Sequence, residues 1–133
     1  MPLELTTAQL AAILEHCRRE APLEACGILA GRDARVSRVH PLTNADRSRT
    51  SYLIEPREQL RVMGEIWDRQ EELLAIFHSH PASPAYPSSR DVELAFYPDS
   101  RYIIVSLRDP GPEIRCFLIR EGVITEEPLE IIE

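Results

Sequence analysis

The chain has 133 residues, 44% hydrophobic and 28% charged, which suits one domain with a real core and leaves no room for a second. Its net charge is −7 and it has no basic patch, which argues against nucleic acid or an anionic membrane surface as partner. Apolar runs fall far short of a membrane span, Met1 to Leu5 lacks signal-peptide regions, and three cysteines without a Cys-x-x-Cys pair argue for reduced thiols, so a cytoplasmic location is expected.

Thr6 or Thr7 can cap a first helix running to about residue 20. Leu10, Ile13, Leu14 and Cys17 recur along it at helical spacing as a core-packing face, and Pro22 stops it. Ile28-Leu29-Ala30, Val36 to Leu42 and Ser51 to Ile54 read as strands, with a turn at Gly31-Arg32-Asp33 and a polar loop from Asn44 to Thr50. Pro56 opens a second helix, expected to reach about Glu72 with Leu60, Met63, Ile66, Trp67 and Gln70 along its packing side. The apolar run Leu73 to Phe77 reads as a buried strand that carries His78 and His80 at its C-terminal end. Ser88-Ser89-Arg90-Asp91 fits a capping box that starts a short helix over roughly residues 89–96. Tyr102 to Leu107, Glu113 to Arg120 and Val123-Ile124 read as further strands. Asp109-Pro110-Gly111-Pro112 and Glu121-Gly122 are the breakers expected between antiparallel neighbours. This order predicts an α/β (α+β) fold, a mixed sheet packed by helices, as a single domain over residues 1–133.

The most informative stretch is His78 to Asp91. Residues i and i+2 of a strand lie on one face about 6.5 Å apart at Cα, so two imidazoles can lean together on one ion at roughly 2.0–2.1 Å. Asp91 supplies a hard third ligand, and three protein ligands leave a fourth tetrahedral position open, as in a catalytic zinc site. A plainer reading makes the histidines a strand end and Asp91 the partner of the Ser88 cap. Capping does not exclude ligation, because a fixed helix start can aim Asp91 back at the strand. Neither His16 nor His40 has comparable company. Every basic residue is arginine, which removes P-loop and Schiff-base chemistry.

His78-Ser79-His80-Pro81, seven residues between His80 and Ser88, and two more before Asp91 resemble the His-x-His-x7-Ser-x2-Asp signature of the JAMM (MPN+) metallopeptidases. Pro22-Leu23-Glu24-Ala25-Cys26-Gly27-Ile28-Leu29-Ala30-Gly31 looks like that family's glutamate-then-glycine strand, with Glu24 in the glutamate's place. Asn44, Tyr52 to Pro56 and Tyr102 to Ser106 continue the similarity in matching order.

The resemblance implies a twisted, mostly antiparallel sheet with helices on its faces, related to the cytidine deaminase-like fold. It implies that His78, His80 and Asp91 hold one Zn²⁺ whose bound water is the nucleophile, that Glu24 is general base and then acid, and that Ser88 donates to the oxyanion. Glu20 is the competing base, but only Glu24 is in register with the glycine strand. Cys26 shares a strand face with Glu24 and could approach the metal, although a small buried residue is the simpler reading.

By the same resemblance the substrate is a ubiquitin-like or sulfur-carrier protein cut after its Gly-Gly tail, held as an extended strand beside the sheet edge nearest the site. The short loop before Tyr102 leaves no room for the insertion of ubiquitin-specific members. Two alternatives come from other classes. A non-catalytic MPN-type scaffold would have lost the ligands, which are intact here. A zinc deaminase would need His-x-Glu and Pro-Cys-x-x-Cys, and neither occurs.

Overall fold

The computed structural model describes residues 1–133. In chain order the elements are β1 (Leu3–Thr6), α1 (Thr7–Glu20), β2 (Cys26–Arg32), β3 (Arg35–Leu42), α2 (Pro56–Asp68), β4 (Glu72–His80), α3 (Ser89–Glu93), β5 (Arg101–Ser106), β6 (Glu113–Arg120), β7 (Val123–Glu127) and β8 (Leu129–Ile132). The strands make one sheet in the order β7-β6-β5-β4-β2-β3-β1-β8. Four of its ladders are antiparallel, β7/β6, β6/β5, β4/β2 and β2/β3. The β4/β5, β3/β1 and β1/β8 ladders are parallel. The mixed, mostly antiparallel sheet expected from the sequence is therefore present.

Period-two alternation gives the sheet two buried faces. On one face, Leu29, Ala75, Phe77, Ile103 and Val105 pack with Ile13 and Cys17 of α1. On the other, Cys26, Ile28, Ile76, Ile104 and Phe117 pack with Val62 and Ile66 of α2. Complete burial of a side chain such as Phe77 contributes roughly 1.5–3 kcal/mol, so these two layers supply the main favourable term. His78 and His80 follow Ile76 on the α2 face at the C-terminal end of an interior strand.

The caps follow the sequence closely. Thr6 Oγ1 accepts from Gln9 N while Gln9 Oε1 accepts from Thr6 N, a capping box that fixes the start of α1. Glu55 accepts from the amides of Arg57 and Glu58, with Pro56 at the first turn of α2.

Several expectations need correction. Ser51 to Ile54 is not a strand; only an isolated bridge joins Ile54 to Asn44. The reason is Asn44 Oδ1, which accepts from Asp46 N and Leu53 N and draws the segment into a closed loop. α2 ends at Asp68 instead of Glu72, because Gln70 turns left-handed at φ +57°. Glu71 N then donates to Ile66 O and Gln70 N to Trp67 O, the pattern of a Schellman stop. Val62 and Ile66 are buried with Met63 packed beside them, but Leu60 is 75% and Trp67 83% exposed, so only part of the expected packing side faces the core. α3 stops at Glu93, short of residue 96. The turn after β2 centres on Asp33 and Ala34, both at positive φ. β1 and β8 were not anticipated, since each is four residues long and pairs only with segments distant in sequence. β4 is paired on both sides, so no sheet edge lies beside the histidines.

Candidate metal centre

Two elements supply the centre. β4 holds the two imidazoles through ladders that place His78 opposite Cys26 on one side and Ile104 on the other. The imidazole Nε2 atoms lie 3.2 Å apart. Asp91 Oδ2 is 3.1 Å from His78 Nε2 and 3.0 Å from His80 Nε2. The cap of α3 aims that carboxylate: Ser88 Oγ accepts from Asp91 N at 3.1 Å, and Ser88 N donates to Asp91 Oδ2 at 2.9 Å. The structure thus brings His78, His80 and Asp91 together as one buried group, and Ser88 plays the capping role read from the sequence.

The donor set fits a divalent cation. His80 Nδ1 donates to Pro84 O at 2.8 Å, so its Nε2 presents a lone pair to the centre. Ligand atoms around a tetrahedral zinc at about 2.0–2.1 Å are separated by roughly 3.3–3.4 Å, close to the spacing found here. Two imidazole lone pairs and a carboxylate oxygen this close repel one another unless a proton or a metal lies between them. Burial lowers the His78 pKa against the pull of Asp91, which favours the neutral ligand form. Burial also opposes charge on His80, but hydrogen bonds to Asp91 and Pro84 O outweigh it and raise its pKa. For Asp91 the burial penalty is overcome by His78, His80 and Ser88 N, which hold the carboxyl well below the usual range. The Tyr52 ring stacks on His78 with centroids 4.4 Å apart and closes that side of the site.

Glu24 precedes β2 and is 3% exposed. Its backbone is clamped by the 44–51 loop, with Glu24 N donating to Ser48 O at 2.8 Å and Asn44 Nδ2 donating to Glu24 O at 3.0 Å. Its Oε1 has no hydrogen-bond partner. Burial, reinforced by the charge of Asp91 and opposed by His80, pushes its pKa up to about 8. Glu24, His80 and Ser88 line one cleft together with Arg49, Thr50 and Ser83, and Glu20 is not part of it. Cys26 faces the α2 core instead of the metal group, and burial first, then the charges of Glu58, Glu20 and Glu24, push its thiol up to about 12.

Arg49 and Thr50 were not singled out in the sequence. Nothing in their spacing announces them, since the loop reaches Glu24 only through tertiary hydrogen bonds. A separate apolar pocket behind Tyr52, lined by Ile54, Ile76, Phe96 and Tyr102, holds no carboxylate or imidazole.

Such a floor can hold a divalent cation with a base beside it, the requirement of metal-assisted hydrolysis. Residues 6–120 match the prokaryotic homologues of the JAB domain, and the chain belongs to that family. It is 46% identical over 125 residues to the CysO-cysteine peptidase of Mycobacterium tuberculosis, covering 92% of this chain and 86% of that protein. It is 39% identical over 108 residues to a Thermus thermophilus protein named "Probable TtuB-protein conjugate cleaving protease", covering 80% of this chain and 69% of the relative. A solution structure of a Desulfitobacterium hafniense protein superposes with a TM-score of 0.88 at 41% identity, covering 98% of this chain and 92% of the other. No helix is long and apolar enough to cross a membrane.

Proposed function

We propose that this chain, as a single domain over residues 1–133, is a zinc-dependent peptidase that hydrolyses the bond after the Gly-Gly C-terminus of a ubiquitin-like or sulfur-carrier protein. The observation that carries this reading is the convergence of His78, His80 and Asp91 on one point beneath a buried, unpartnered Glu24. Relatives named as a CysO-cysteine peptidase and a probable TtuB-protein conjugate cleaving protease support the substrate class. Three buried free cysteines support a reducing, cytoplasmic setting.

His78, His80 and Asp91 would hold the ion, and two imidazoles with one carboxylate suit zinc better than magnesium or calcium. When bound, zinc would polarise the scissile carbonyl and lower the pKa of water. Glu24 takes the proton of the attacking water and delivers it to the leaving nitrogen. Burial raises its pKa towards that of the groups it exchanges protons with, while a cation held by His78, His80 and Asp91 would favour the ionised form that accepts the first proton. Ser88 accepts from Asp91 N with its lone pair, which leaves the hydroxyl hydrogen to donate to the oxyanion. Since β4 has no free edge, an extended tail lies instead across the cleft between residues 48–50 and 81–88. A glycine pair allows its backbone to come close to the floor without a β-carbon in the way.

The test is elemental analysis of the purified protein, followed by mass spectrometry of carrier fusions extended beyond Gly-Gly or beyond Ala-Ala. About one zinc per chain and much faster cleavage after Gly-Gly are expected. A protein that takes up no zinc, or cuts both fusions equally, would remove the reading.

A further inference from the structure

We propose that Arg49 binds the free α-carboxylate of the leaving residue, so that the site prefers a single amino acid joined through its α-amino group over a conjugate joined through a lysine side chain. The inference rests on the diglycine-peptidase reading and concerns the leaving side of the same cleft.

Arg49 lines the cleft with Glu24, His80 and Ser88, and no other arginine does so. It also lines the adjoining cavity formed by Ala21, Pro22, Pro81, Ala82 and Leu107, which leaves room beyond the cleft for a side chain. Arg35, Arg101, Arg115 and Arg120 all have acidic partners. The Arg49 guanidinium has neither an ion pair nor a hydrogen bond within the chain, although the protein carries a net charge of −7.

Its backbone is fixed in relation to Glu24. Ser48 O accepts from Glu24 N, Ser48 Oγ accepts from Thr50 N at 3.1 Å, and Asn44 Nδ2 donates to both Glu24 O and Ser51 O. Glu24 must deliver a proton to the leaving nitrogen, so that nitrogen lies beside the Glu24 carboxyl and on the wall that carries Arg49. An α-carboxylate is two bonds from the nitrogen, on the wall where the Glu24 carboxylate would repel it. A guanidinium fork offsets that repulsion with paired hydrogen bonds. A lysine joined through its side chain places methylenes there and gains nothing. Hydrolysis of the C–N bond consumes one water and yields a carrier ending in a glycine carboxylate together with the free amino acid.

The experiment compares CysO-cysteine as the free acid with the same molecule as its C-terminal carboxamide, by mass-spectrometric kcat/KM. Hydrogen bonds to a charged group predict a preference for the acid of about tenfold or more. Arg49→Ala should bring that ratio close to one, and Arg49→Lys should restore part of it. Calorimetric affinity of Glu24→Gln protein for the two molecules should show the same preference without turnover. Equal rates on acid and amide by the parent protein, or an equal loss on both in Arg49→Ala, would overturn the assignment while leaving the peptidase reading in place. If the zinc-loaded parent cuts neither, both fall together.

Discussion

Glu24 and the three ligands combine burial with charge, and that makes their substitutions informative. Glu24→Gln keeps the shape and the backbone clamp but removes the proton acceptor. It should retain zinc and lose roughly 10²–10⁴-fold in kcat, measured on protein whose metal content matches the parent. Parent-like turnover would transfer the role to Glu20. His80→Ala removes one ligand and the bond to Pro84 O. The variant should bind no zinc by elemental analysis, yet still unfold cooperatively, because His80 belongs to neither core layer. The motif itself was readable: the His78, His80, Ser88 and Asp91 spacing and the Glu24 segment could be picked out from the linear chain. The tie of Glu24 to Asn44 and Ser48 could not, because each bond spans twenty or more residues and depends on how a loop closes.

At the scale of the elements, packing rather than composition decides which apolar residues matter. A β-carbon at Gly27 would stand 2.2 Å from Phe77 Cε2 and 2.5 Å from His40 O, so β2 can lie between its neighbours only as glycine. Gly27→Ala should lose about 1–3 kcal/mol of stability, the range of overpacked cores, read from the urea midpoint. On α2, Ile66→Ala should cost about 2–5 kcal/mol through the cavity it leaves. Trp67→Ala should stay within about 0.5 kcal/mol, since the ring is exposed. A large loss at Trp67 in the same denaturation series would show that its face is covered in solution. Helix starts were legible from Thr6, Pro56 and Ser88. The end of α2 was not, because a left-handed Gln70, whose carbonyl accepts from Arg32 Nε at 2.8 Å, sets it, and its buried face was not, because packing of Val62 and Ile66 on the sheet decides it.

For the whole molecule, metal retention should follow pH. Protons compete with zinc at the imidazoles, and the raised pKa of His80 makes it the first to protonate as pH falls. Asp91, held low, stays ionised and contributes nothing to the loss. Zinc bound at pH 8 should therefore be released progressively below about pH 6.5, as followed with a chelating dye. Retention that stays flat down to pH 5 would remove the histidines from the ligand set.

The sequence by itself determined the fold class, most of the strands and helices, the two imidazoles on one strand face, and the carboxylate tied to a helix cap. All of these follow from local periodicity and capping chemistry. Tertiary structure decided that β1 and β8 pair, that β4 is an interior strand with no edge to offer, and that Arg49 and Thr50 line one cleft with Ser88. Those features come from contacts between distant segments, whose closure depends on the whole sheet and leaves no periodic trace in the chain.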